Sequence, residues 1–279
     1  EKEQLKFFSK TQIEEKLNNV LEQIPDIILE KFEKLGWQII ITNTRKLEEE
    51  IGVFYEIYGY TNFKLKQFVV YATEEGIEGL FHEFGHALHG MLANTQYPNL
   101  SGTSVYWDFV ELPSQIMENW VYEPETLALF AKHYETGETI PQVYVDKIKE
   151  SASFLEGMAT LRQLSFGLLD MAWHATNPSE ITSLKAFENE QFAGTSLYPD
   201  VAENAMSTAF SHIFAGGYSS GYYSYKWAEV LDADAFDYFK QNGIFNKEIA
   251  TKFKDHVLSQ GGTDHPMTLY KKFRGQEPQ

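Results

Sequence analysis

The run FHEFGHALH, residues Phe81 to His89, is the stretch from which the rest of the chain can be read. It contains His-Glu-x-x-His, with His82, Glu83 and His86. On an α-helix, residues four apart differ by about 40° around the axis and lie about 6 Å apart along it. Both imidazoles can therefore reach one metal ion, with Glu83 beside them at the edge of the same face. Leu80, Phe81, Phe84, Ala87 and Leu88 supply the apolar remainder of a buried helix. Gly85, between the two histidines, permits close approach by another element. Five letters make a short pattern, however, and a core helix with satisfied polar residues would carry the same ones.

A third ligand separates the two. Hydrolytic zinc sites use three protein ligands and keep one position open for water. Asp108 to Trp120, DFVELPSQIMENW, places Glu111 and Glu118 inside a second apolar helical pattern. Asn94 to Thr103, with Pro98 and Gly102, reads as the loop between the two helices. Glu111 on the returning helix completes a His, His, Glu set. Metal-bound histidines usually donate their second ring nitrogen to an acceptor. Glu78, four residues before His82, and Glu118, seven after Glu111, are candidates for that task, against ordinary exposed or capping carboxylates. His89 as a fourth ligand would block the water position, so it reads as structural. His133, His174, His256 and His265 stand alone and are assigned nothing.

A second cluster lies at His212 to Tyr225, HIFAGGYSSGYYSY. Tyr218, Tyr222 and Tyr225 follow i, i+4, i+7 spacing and line one face if the segment is helical. Gly216, Gly217 and Gly221 make a flexible strip open to close approach. Periodicity alone favours an aromatic face packed in the core.

Around these motifs the chain is ordinary for a soluble protein. Its 279 residues suit one large or two intimate domains. Hydrophobic residues at 43% and charged residues at 23% are close to the globular average, which excludes a disordered chain. No apolar run is long enough to span a bilayer, so no membrane partner is expected. Forty acidic against 23 basic residues give a net charge of −17, a field that repels phosphate backbones and makes nucleic acid an unsuitable partner. There is no cysteine, which excludes disulfides and thiolate ligands. That fits the cytoplasm, with secretion the alternative. The chain begins at Glu1 without a charged-then-apolar leader and reads as a processed form or a fragment.

Thr11 to Leu35 carries apolar residues at helical spacing, divided by Pro25. Trp37 to Thr42 then reads as a buried strand. Val53 to Tyr58 and Gln67 to Tyr71 follow as two strands, joined by a turn over Gly59 to Lys66. From Glu74 onward helices dominate. The expectation is an α+β, mostly α-helical chain. An N-terminal α/β subdomain (1–75) precedes a helical catalytic subdomain (76–279). Either Val53 to Tyr58 or Gln67 to Tyr71 is a candidate edge strand for pairing with an extended peptide.

FHEFGHALH, SGTSVYWDFVELPSQIMENW, AFSHIFAGGYSSGYYSYKWAEVLDADAF, GIFNKE and PMTLYKKFRGQEP occur in that order. The series resembles the thimet oligopeptidase family of zinc metallopeptidases, most closely its oligopeptidase A branch, over about residues 80 to 278. The resemblance implies a zincin-type fold, one Zn2+ held by His82, His86 and Glu111, and Glu83 as general base. It also implies that His212, Tyr218 and Tyr225 contact substrate or stabilise the intermediate, with Tyr222, Gly216 and Gly217 lining the peptide. Members are usually far longer. GWQIIITNTRK and GYTNFKLKQFVVYATEEGIEGLFHEFGHA look more like the catalytic domain of lethal-factor-type toxin metallopeptidases, which would make the chain a mosaic.

Three functions follow as expectations. The first is an oligopeptidase cleaving short unstructured peptides by water attack, acting as a monomer by default. The second is a toxin-like endopeptidase with a narrow protein target. The third is a catalytically silent peptide-binding module, which the presence of all three ligands and the base disfavours.

Overall fold

The computed structural model describes residues 38–42, 59–62, 67–71, 76–133 and 136–279, the three strands by their backbone only. The chain divides into two compact units. One takes in the described residues up to Ala93 together with Pro113–Lys147; the other takes in Asn94–Leu112 and Ile148–Gln279.

The first unit contains strands β1 (Gln38–Thr42), β2 (Gly59–Asn62) and β3 (Gln67–Tyr71). Their order is β1-β3-β2, with β1 parallel and β2 antiparallel to β3. Helix α1 (Gly76–Met91) lies against β2 and β3. Glu78 in its first turn complements the helix dipole. Ala87 is fully buried and packs with Leu80, Phe84 and Met91. Helix α2 (Leu112–Val121) carries Pro113 in its first turn, where the missing N–H costs nothing. Helix α3 (Pro124–Phe130) again opens on proline, and Phe130 meets Phe81 of α1 at 6.1 Å between ring centres. Helix α4 (Gln142–Ala152) runs across the division.

These strands correct part of the sequence reading. Gly59 to Asn62, expected as turn, is strand β2. Its residues pair in register with β3, Tyr60 opposite Val69, and cross-strand pairing overrides local polarity. Gln67 to Tyr71, a candidate edge, is paired on both sides. Among the described residues the edges are β1 and β2. The helical pattern at Thr11 to Leu35 and the run Val53 to Tyr58 lie outside the described residues.

The second unit is helical. Helix α5 (Glu156–Ala175) contributes Leu169 to a cluster with Phe210 and Ile213, around which Phe166, Trp173, Phe187, Phe192, Met206 and Tyr222 pack. Helix α6 (Leu184–Phe192) is capped by the Ser183 hydroxyl, which accepts from the Ala186 amide. A short helix α7 (Ser211–Phe214) leads to the glycine-rich turn, and α8 (Ser224–Asn242) leaves it. Asn246 caps α9 (Lys247–Phe253), accepting from the Glu248 and Ile249 amides. His265 caps α10 (Pro266–Arg274), which ends on Lys271, Lys272 and Arg274 in its last turn. Thus GIFNKE and PMTLYKKFRG are helix starts and stops. Phe253 and Phe273 stack edge-on at 5.0 Å, and Arg274 binds buried Asp234 at 3.0 Å.

Gly262 donates its amide to Leu100 O and Asn94 donates to Ser259 O, each at 2.9 Å. The loop that leads to Glu111 is thereby tied to the chain's C-terminal part. Among the described residues no helix is long and apolar enough to cross a membrane.

Candidate metal centre and tyrosine turn

The metal-site helix is α1. His82 and His86 stand one turn apart on it, their rings 5.1 Å between centres and nearly perpendicular. Helix α2 crosses α1 at Gly85, where a Cβ would lie 2.0 Å from Pro113 O and 2.5 Å from Ser114 Cα. Backbone meets backbone there, and only glycine allows it. The same crossing brings Glu118 Oε1 within 2.5 Å of His82 Nδ1, which orients that ring. Glu111 immediately precedes α2 and is buried, at 2% exposure. Glu111 and Leu112 belong to the second unit and Pro113–Val121 to the first. His82, His86 and Glu111 each offer one ligand atom and could hold a metal ion. Glu83 is partly buried beside His82 on α1.

Glu78 also sits in the first turn of this helix. It pairs with the Tyr122 hydroxyl; burial first, and then that carboxylate, push the phenol's pKa up. His89 is fully buried, and burial lowers its pKa to about 3, with His86 adding to the effect. It is a neutral core imidazole.

Within the second unit, the Tyr218 hydroxyl donates to Glu111 Oε1. Burial first, then the Glu111 charge and Tyr225, raise the pKa of this phenol well above the ordinary value. Tyr218 stays protonated and is a hydrogen-bond donor at any physiological pH. Its ring stacks on Tyr225, 4.8 Å between centres and 18° from parallel. Trp107 meets Tyr218 edge-on at 4.8 Å, and a Cβ at Gly221 would sit 2.9 Å from the same indole. His212 lies 6.1 Å from both Tyr218 and Tyr222; burial lowers its pKa while Glu111 opposes the shift. Tyr222 packs against Phe210 at 5.0 Å, in the apolar cluster. Gly216 and Gly217 stand exposed between α7 and the tyrosines.

The tyrosines are not one helical face. Helix α8 begins only at Ser224, and residues 218–223 form a turn. Ser219, Ser220 and Gly221 in a row favour turn over helix, and side-chain packing then gathers the rings. Spacing also missed the residues that hold this turn. Asp108 accepts from the Tyr223 hydroxyl at 3.0 Å. Buried Asp170 and Glu188 accept backbone amides from the segment 206–222. A carboxylate that works through backbone leaves no partner pattern in the sequence, so only its helical neighbourhood of apolar residues hinted at burial.

Two histidines a helical turn apart, a glutamate beside the first and a carboxylate ahead of the next helix define a zincin-type metal-site protein. The model of Peptidase family M3 matches residues 36–279, and the chain belongs to that family. It is 48% identical over 209 residues to oligopeptidase A of Escherichia coli, covering 74% of this chain and 31% of that protein. It is 43% identical over 212 residues to an organellar oligopeptidase A of Arabidopsis thaliana, with 74% and 27% covered. Against dipeptidyl carboxypeptidase of Escherichia coli the identity is 37% over 201 residues, with 71% and 30% covered. The chain spans about a third of the length of the curated relatives it matches. The family match starts at residue 36 and so takes in most of the strand-rich segment ahead of the metal helix. The likeness of that segment to lethal-factor-type peptidases is therefore not supported.

Proposed function

We propose that this chain carries the catalytic part of a zinc-dependent metallopeptidase that hydrolyses short, unstructured peptides. The observation that carries the proposal is His82 and His86 one turn apart on α1 with Glu83 between them and Glu118 on the His82 ring, to which Glu111 would add the third ligand. Two imidazoles and a carboxylate suit zinc, and the Glu118 contact is the outer partner that a zinc-bound histidine uses. These three side chains would hold one ion. Zinc bound there supplies a Lewis acid that polarises a peptide carbonyl and acidifies water.

The protein's own residues do the rest. Glu83 takes a proton from the water that attacks the carbonyl carbon and later hands it to the departing amine. Tyr218, protonated and buried beside Glu111, donates its O–H to the oxyanion that develops. Tyr225 braces Tyr218 by stacking and, with His212, faces the same intermediate. Tyr222, Gly216 and Gly217 would contact the peptide. No cysteine exists to form an acyl intermediate, in keeping with direct water attack. The relatives' names, oligopeptidase A and dipeptidyl carboxypeptidase, both speak of peptide cleavage and support the substrate class.

Residues 1–75 would form a small α/β front and 76–279 the helical catalytic portion. An extended peptide pairs through its backbone with a sheet edge, and β2 is such an edge among the described residues. The net charge of −17 disfavours nucleic acid as a partner, and a monomer without a membrane partner is the default.

The test is cleavage of a short quenched fluorescent peptide by the protein as purified, after chelation, and after zinc is restored. Activity lost on chelation and regained with zinc is expected. A folded protein that binds zinc yet leaves a mixed peptide library intact would overturn the proposal.

A further inference from the structure

Asp170 lies on α5, far from the metal ligands in sequence, and its side chain is fully buried. Its Oδ1 accepts from the Ser220 amide and its Oδ2 from the Tyr222 amide, each at 2.9 Å. His174, one turn along α5, brings its Nδ1 within 2.9 Å of Oδ1. One carboxylate thus grips two alternate amides of the turn that carries Tyr218. Between them, Gly221 sits under the Trp107 indole. At the other end of the same segment, buried Glu188 accepts from the amides of Met206 and Ser207, at 3.2 and 2.6 Å. His212 and Tyr218 therefore hang between two buried carboxylate grips.

Two unfavourable features converge on this turn. A buried carboxylate is costly unless its lone pairs are met. Ser220 has φ +57°, a left-handed conformation that a residue with a Cβ rarely adopts. Such strain persists only where surroundings enforce it. Ala215, Gly216, Gly217, Ser219 and Ser220 are all exposed, so ring packing at Tyr218 and Tyr222 holds only part of the turn. The amide grip holds its backbone at Ser220 and Tyr222.

We propose that Asp170 is the positioning residue for Tyr218: by fixing the Ser220 and Tyr222 amides it sets the Tyr218 hydroxyl on Glu111. In function it rests on the peptidase reading, because Tyr218 then acts only in the transition state. A group that orients a transition-state donor affects kcat and leaves KM nearly unchanged.

The experiment compares Asp170→Asn, Tyr218→Phe and the double variant in the full zinc-loaded chain. Asparagine replaces one acceptor by an NH2 group that opposes an amide. Asp170→Asn is expected to lower kcat by about 10-fold or more at unchanged KM and zinc content, a fraction of what losing an oxyanion donor costs. In the Tyr218→Phe background the same change should add less than about 2-fold, since residues acting as one unit are not additive. Losses that multiply, or a raised KM at unchanged kcat, would overturn the proposal. Amide hydrogen exchange in the unaltered protein gives a reading that needs neither a folded variant nor activity. Ser220 and Tyr222 should exchange at least about 10-fold more slowly than Ser219 and Gly217. Equal rates would refute the grip. A parent that cleaves no peptide but shows this protection would sink the peptidase reading and leave the grip standing.

Discussion

The α1–α2 pair and the tyrosine turn reach functional geometry by opposite routes. In the pair, helical periodicity places His82, Glu83 and His86, and a single glycine lets the second helix close on the first. In the turn no periodicity operates. Tyr218 is placed by side chains from α5 and from the segment around Trp107, tens of residues away. Local spacing is thus enough to set His82, Glu83 and His86 on α1, whereas the placing of Tyr218 depends on long-range grips. The first should tolerate changes elsewhere and fail sharply at its own letters. The second should fail gradually, through residues that never touch substrate.

The sharpest break is Glu83→Gln, which leaves ligand geometry alone and removes the proton acceptor. Peptide turnover should fall by about 10³-fold, within the range for losing a general base, while bound metal measured by elemental analysis is unchanged. Retained turnover would assign the base elsewhere.

Next is Gly85→Ala. The new methyl would meet the Pro113 carbonyl oxygen at 2.0 Å, so α1 and α2 must separate. Overpacking of this kind costs about 1–3 kcal/mol, read as a lower urea midpoint, and zinc affinity should fall with it. A variant as stable as the parent would show that the crossing is loose.

Glu118→Gln probes orientation of one ligand. Its contact with His82 Nδ1 is 2.5 Å, and losing such a partner weakens metal binding by about 10–100-fold, measurable by competition with a chromogenic chelator. Glu78→Gln is the matched control, since Glu78 pairs with Tyr122, and it should change zinc affinity little.

At neutral pH the smallest visible effect concerns His89, which shows only as the medium is acidified. Its folded pKa is lowered to about 3 from the ordinary 6.5, so the unfolded chain binds the proton first as pH falls. Its contribution is fully present above about pH 6.5 and is lost progressively towards pH 3, by up to about 1.4 kcal/mol per pH unit. Denaturation of parent and His89→Gln across that window should give a shallower slope in the variant. Parallel slopes would mean that His89 is protonated in the folded protein.

Part of the candidate site is legible in the letters, because helix geometry converts spacing directly into position. His82 and His86 one turn apart, and the reach of Glu118 to His82, follow from the spacing on two helices. The turn was legible only as a collection of residue types. Tyr218, Tyr222 and Tyr225 share a neighbourhood, but through packing around Trp107 and Phe210 and not through one helical face. Asp170 and Glu188 escaped notice because a carboxylate that binds backbone amides pairs with no particular residue type. At the front, polar Gly59 to Asn62 looked like turn because a strand's partner, here β3, is not visible in its own composition.

The most direct test of the account is X-ray absorption at the zinc edge, on protein loaded with one equivalent of zinc. Two imidazole nitrogens and one carboxylate are predicted, with Zn–N at about 2.0–2.1 Å and a light-atom position left to solvent, and with one histidine lost in His86→Ala. A spectrum with three or four imidazoles, or one unchanged in His86→Ala, would contradict the site assigned to His82, His86 and Glu111.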